Sequence, residues 1–152
     1  MGIVKQGKNI LAKCLKVSNQ YFKKFQGIGF VIVENKKLLA LTLPLRPSVE
    51  TGILTKINSS PSDLSKIAKT LVKLSTSKKF HDGFHILNKK LEFIGISRML
   101  LVKKSTLKPN ENMGTRYYAA KIFSSYRGVK FVGIISKDRK AFYFINGKSY
   151  KL

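Results

Sequence analysis

The sequence predicts an α+β fold built from two small modules. Three observations carry this expectation. Apolar residues recur at helical spacing in two places, Ile10, Leu11, Cys14, Leu15, Tyr21, Phe22 and Phe25, then Leu64, Ile67, Ala68, Leu71 and Val72. Short apolar runs separated by polar turns dominate the second half. Between them, residues 103–114 are polar, hold Pro109, Asn110 and Asn112, and mark a boundary. Residues 1–104 are therefore expected to form helices packed on a short sheet, with an extra hairpin near 28–43. Residues 105–152 are expected to form a mainly antiparallel β module.

The first stripe, with Lys13, Lys16, Lys23 and Lys24 largely opposite, predicts an amphipathic helix over residues 6–25. Gly27 and Gly29 break it. Residues 30–34 and 38–43 flank Asn35-Lys36-Lys37, a hairpin composition, and Pro44 and Pro47 close the unit. Residues 49–57 are ambiguous, with β-branched content favouring a strand. Ser60-Pro61-Ser62-Asp63 supplies a serine cap and a proline at the first helical position, opening a helix over 64–74. Residues 80–86 and 91–102 read as strands around Asn88-Lys89-Lys90. After the boundary come strands at 115–123, 129–136 and 141–145, and Asn146-Gly147, which tolerates positive φ at both positions, turns the chain into a last strand at 149–152.

Thirty Lys and Arg stand against seven Asp and Glu, a formal +23, while 43% of the residues are hydrophobic. Solubility asks for a net charge of only about 2–8 on a small domain. A charge this large on a chain with a core points to a polyanion, because neutralised phosphates release condensed counterions. The basic residues are mostly lysine, which fits backbone contact better than bidentate base contact. Cys14 is the lone cysteine and falls in an apolar stripe, so no disulfide is expected. No apolar run approaches the ~18 residues that span a bilayer.

Catalytic chemistry finds no pattern here. His81 and His85 lie four apart, but Gly83 and the alternation of Phe80, Phe84 and Ile86 indicate extended chain, and no Cys or Glu completes a zinc site. The acids are scattered singly, neither His has a Ser or Cys partner at a telling spacing, and Gly27-Ile28-Gly29 precedes a strand instead of opening a helix. Neither metal nor cofactor is expected, nor a small-molecule substrate. Binding has better candidates. Arg116-Tyr117-Tyr118 offers a guanidinium beside aromatic rings, suited to stacking and phosphate contact, with one Tyr of the strand facing inward. Arg127, Lys130, Lys137, Arg139 and Lys140 cluster around two C-terminal turns, and Lys13 and Lys16 are auxiliary phosphate contacts.

Leu107-Lys108-Pro109, Arg116-Tyr117-Tyr118 and the run Gly128-Val129-Lys130-Phe131-Val132-Gly133-Ile134-Ile135-Ser136 together resemble the C-terminal module of the small-subunit ribosomal protein S-eight family. Leu107 stands where that family has serine, and Ser136-Lys137 are what remains of its Ser-Thr-Ser-Lys-Gly loop. The resemblance implies a non-catalytic constituent of the ribosome that binds small-subunit ribosomal RNA beside neighbouring ribosomal proteins. The RNA-contacting residues it implies include Lys108 and Ser136. The drift from the family pattern implies a mitochondrial ribosome, with a cytoplasmic location as the alternative. A viral matrix or nucleocapsid-like protein binding RNA or acidic membrane is the competing expectation from charge.

Overall fold

A computed structural model describes residues 2–21, 23–103 and 114–152. The fold is α+β, organised on one mixed sheet. The elements run α1 (Ile3–Ser18), β1 (Ile28–Val33), β2 (Thr42–Pro44), α2 (Pro47–Ile57), α3 (Leu64–Thr76), β3 (Phe84–Leu87), β4 (Phe93–Leu100), α4 (Thr115–Phe123), β5 (Val129–Ile135), β6 (Ala141–Ile145) and β7 (Lys148–Lys151). Their order in the sheet is β2-β4-β3-β1-β5-β6-β7. β1 and β3 are parallel and the other pairings are antiparallel.

β1 is apolar along its whole length because both of its faces are covered, the pattern expected of a central strand. Ile28, Phe30 and Ile32 face a core shared with α1 and α3, through Ile10, Leu11, Cys14, Ile67, Leu71 and Val72. Val31 and Val33 face a second core under α4, with Ala120, Phe123, Val132 and Phe144. Helix α1 lies so close to β5 that a Cβ on Gly7 would come 2.7 Å from the Phe131 ring. Glycine at position 7 is therefore a packing requirement.

The sheet runs across the expected boundary at 104/105. β1 pairs with β5 from Ile28↔Ile135 to Val33↔Val129, so the stretches 1–104 and 105–152 share one sheet instead of each building its own. The physical reason is β1 itself, which needs a partner on either side to satisfy its buried amides. The hairpin expected near 28–43 is also absent. Asn35 caps a 3-10 helix, Lys36–Leu41, by accepting from the Lys37 amide at 3.0 Å, and β2 then pairs with β4.

Other differences are local. Residues 49–57 are helical: Pro47 fixes φ at the start of α2, and Glu50 stands in its first turn. The cap of α3 is Asp63, whose Oδ1 accepts from the Lys66 amide at 2.8 Å, and not Ser60. α1 begins at Ile3 and gives way to a 3-10 turn at Asn19–Tyr21. Residues 115–123 form a helix, because Tyr117, Ala120 and Phe123 at threefold spacing cover the second core. Asn146 and Gly147 do adopt positive φ and join β6 to β7.

α2 is tied to the sheet by a buried ion pair. Glu50 accepts from Arg98 Nη2 at 2.6 Å and Nε at 2.8 Å, and from the Ile96 amide at 3.0 Å, while Arg98 Nη1 donates to Thr42 Oγ1. One guanidinium therefore joins α2, β4 and β2. At the same edge Leu41, Leu43, Met99 and Leu101 turn outward and are exposed, and Leu43 and Met99 are register partners.

Removing one partner of a buried pair strands the other charge, so Glu50→Ala should cost about 3–5 kcal/mol. Arg46→Ala, which breaks the half-exposed pair with Asp82 at 3.1 Å, should cost about 1 kcal/mol or less. Urea denaturation of the two variants checks the ranking. Equal losses would show that Glu50 does not hold α2.

Candidate nucleic-acid interface

Several chain segments end at the same edge of the fold. β1 begins there and β5 finishes there, as Ile28↔Ile135 records. The C-terminus of α3 meets them through the Gln26 amide, which donates to Ser75 Oγ at 3.2 Å. The N-terminal turn of α4 arrives from the other face, with Arg116 Nη2 donating to the His81 carbonyl at 3.2 Å.

These segments bring cations together. Lys23, Lys24 and Lys78 line a depression of about 420 Å³ with Gln26, Ser77 and His81. Lys16 lines a groove of about 490 Å³ with Ala12, Leu15, Asn19, Asp138 and Arg139. Arg139 Nη1 donates to Asn19 Oδ1, linking the β5–β6 turn to α1. The turn is closed by Ser136: its amide donates to the Lys140 carbonyl at 2.9 Å and its carbonyl accepts from the Arg139 amide at 2.8 Å. Arg139 has φ +64°, a conformation that costs a non-glycine residue about 1–2 kcal/mol. Such strain gathers at sites where a side chain must be aimed. The Ser136 hydroxyl, bonded to Asp138, holds that exposed carboxylate below the usual range, with Lys140 at 3.6 Å contributing.

Arg116 is the most constrained cation of the group. It is largely buried, and burial pushes its guanidinium below its ordinary value, with the nearby Asp82 charge opposing. Gly27, at φ +94°, allows it room: a Cβ there would come 2.8 Å from Arg116 Nη1 and 2.9 Å from the Ile135 carbonyl. Asp82 accepts from Arg46 through Oδ2, while its buried Oδ1 has no partner among the described residues. α4 starts at Gly114, which offers no side chain to cap the first amides of the helix.

The sequence-predicted residues divide in space. Arg116, Ser136, Lys137, Arg139, Lys140 and Lys16 come together at this edge. Lys13 is half-buried and lies off the stripe of α1 that lines the groove. Arg127 and Lys130 lie at the opposite edge, where Lys130 stands 4.0 Å from Glu34 and Val129 pairs with Val33. Lys108 falls outside the described residues. Tyr117 is not a stacking platform: on a helix and not a strand, its ring packs edge-on against Phe142 at 5.4 Å and Phe144 at 4.9 Å. Gln26, Lys78 and the Asp82 carboxylate were not expected at the interface, because only the folded chain brings residues near 26, 78 and 116 together.

Neither histidine is set in a metal-binding group; among the described residues no cluster of three or more His, Cys, Asp and Glu could hold an ion. His85 is fully buried and its Nδ1 accepts from the Ser97 amide at 3.1 Å, which requires the neutral ring. Burial, then the Arg116 charge, push it down to about 3. Cys14 is buried and its thiol pushed up by the same cause. Among the described residues no helix is long and apolar enough to cross a membrane.

No family model matches the chain, and no curated protein matches it in sequence. Solved structures do share its fold. A hypothetical membrane spanning protein from Bacillus cereus superposes with a TM-score of 0.66 at 18% identity, over 96% of this chain. The chain spans 63% of that protein's length. DacA from Staphylococcus aureus, solved as a double mutant, superposes with a TM-score of 0.60 at 18% identity, over 97% of this chain and 88% of its own. At this identity the likeness concerns the fold.

Because the folded His85 is held neutral while the unfolded ring takes a proton near 6.5, the unfolded state binds more protons below that pH. Stability should be complete above about pH 6.5 and decline as pH falls from there toward 3. His85→Gln should lower stability at pH 7 but flatten the slope between about pH 6.5 and 5, above the range where carboxylates titrate. Melting temperatures across that window check this. An unchanged slope in the variant would remove His85 as its source.

Proposed function

We propose that this chain is a non-catalytic RNA-binding protein whose basic edge holds the phosphate backbone. The observation that carries the proposal is the convergence of Lys16, Lys23, Lys24, Lys78, Arg116, Lys137, Arg139 and Lys140 from five chain segments onto one edge, with Asp82 and Asp138 as the acids among them. Scattered lysines would be only a solvated coat. Gathered lysines each displace a counterion from the same strand, and the released ions add to affinity without reading sequence. The ribosomal small subunit, most specifically that of a mitochondrion, is the setting implied by the resemblance at Gly128 to Ser136. The helix found at Arg116-Tyr117-Tyr118 departs from the strand which that family has there, so the ribosomal setting rests on the remaining motif and on charge.

Lys137→Ala, Arg139→Ala and Lys140→Ala combined should reduce the slope of log affinity against log salt by roughly 2, at about 0.7 per lost contact to a single-stranded backbone. Arg127→Ala with Lys130→Ala, at the opposite edge, should leave it unchanged. Titration of a labelled RNA at several salt concentrations gives both slopes. Equal slopes in all proteins would reject the interface.

A second reading is favoured by the surroundings of Arg116. The Arg116 guanidinium is desolvated, packs against Gly27 and sits on the first turn of α4, whose amides favour anions, an arrangement suited to a phosphate-bearing small ligand such as a nucleotide. On this reading calorimetry should detect nucleoside triphosphate binding that Arg116→Lys weakens by about tenfold or more, since lysine cannot replace the planar fork. Identical binding by the variant, or none by either protein, would exclude it.

A further inference from the structure

α2 and α3 do not pack tightly on one another. α2 is fastened to β4 and β2 by Glu50 and Arg98, while α3 packs on α1 and β1. Between the two helices lies a groove of about 450 Å³. Its floor is apolar, made by Ile53 and Ile57 of α2 and Leu74 of α3. Its walls carry Lys56 on one side and Lys66 and Lys73 on the other. No Asp or Glu lines it: Glu50 points to Arg98, and Asp63 spends its carboxylate on the Lys66 amide at the head of α3. Lys66 Nζ donates to the Ser60 hydroxyl and to the Pro61 carbonyl, both neutral, so its charge is not cancelled by them.

The spacing is as telling as the composition. Lys66, Thr70, Lys73 and Ser77 follow at intervals of four, three and four, one stripe along α3 and its C-cap. Ile53, Lys56 and Ile57 form a matching stripe on α2. The groove thus presents an apolar track between two basic rows. A helix with an apolar ridge flanked by carboxylates has the complementary pattern, and recognition of this kind reads anchors at i, i+3, i+4 and i+7. An RNA backbone has nothing to place on the Ile53, Ile57 and Leu74 floor. We propose that the α2–α3 groove docks an acidic amphipathic helix of a partner protein, independently of the basic edge.

The test uses the full chain and a fluorescein-labelled peptide of three to four helical turns, about 14 residues, with leucines at i, i+3, i+4 and i+7 and glutamates beside them. Anisotropy at about 0.15 M salt should show saturable binding to the full chain. A peptide of the same composition with scrambled spacing should bind about tenfold more weakly, and so should the original peptide to Lys56→Glu with Lys73→Glu. Ile57→Ser, confirmed folded by circular dichroism, should also weaken it. Equal binding of the scrambled peptide would reduce the effect to bulk charge and overturn the proposal. So would loss of binding in Lys137→Ala with Arg139→Ala and Lys140→Ala while the groove variants bind normally.

Discussion

The pairing of β1 between β3 and β5 is the constraint from which the remaining architecture follows. An apolar strand buried on both faces has no water to satisfy its amides, so both of its edges must be hydrogen-bonded. β3 supplies one edge in parallel and β5 the other in antiparallel register. The parallel partner requires a long crossover, and α2, α3 and β2 occupy it. The two cores then form on opposite faces of the strand, one under α1 and α3 and the other under α4. The Phe30 and Phe131 rings, 5.8 Å apart, pack neighbouring strands together within the first core.

This arrangement also explains where function can sit. The middle of the sheet is occupied by side chains from both layers, so cations with long side chains are driven to the strand ends and the outer helix faces. At the end where β1 starts and β5 stops, three helix termini meet as well. α1 and α3 finish there, and the negative ends of their dipoles favour cations, whereas α4 begins there and favours anions. Basic side chains surround that anion-favouring helix start, and Arg116 on its first turn is the most deeply placed of them.

What the sequence revealed depends on whether a residue's role is local. The stripes of α1 and α3, the Asn146-Gly147 turn and the apolar strands were legible because each signal lies within one element. The partners of β1 were not, and the hairpin expected after residue 30 does not form, because a continuous apolar run says that a strand is buried on both faces without saying which strands flank it. The aromatic residues of 115–123 suit a strand, although Tyr117, Ala120 and Phe123 stand at helical spacing and the segment is α4. A strand would offer Tyr117 to RNA, whereas in the helix its ring packs on a core. At the basic edge, Lys137, Arg139 and Lys140 were visible as one turn, but their meeting with Lys16, Lys78 and Arg116 is made only by tertiary contacts between residues far apart in sequence. The α2–α3 groove was hidden for the same reason, and because residues 49–57 did not read as a helix.

The outward row of Leu41, Leu43, Met99 and Leu101 at the β2 edge shapes how this protein behaves as a colloid. An exposed strand edge with apolar side chains invites edge-to-edge growth of the sheet. Pro44, which lacks an amide donor, blunts that edge at one end, and mutual repulsion of chains carrying +23 keeps two such edges apart. The repulsion reaches about 10 Å at 0.1 M salt and about 3 Å at 1 M. Concentrated salt therefore acts on that safeguard directly, and at 1 M salt two apolar edges can approach with little electrostatic spacing between them.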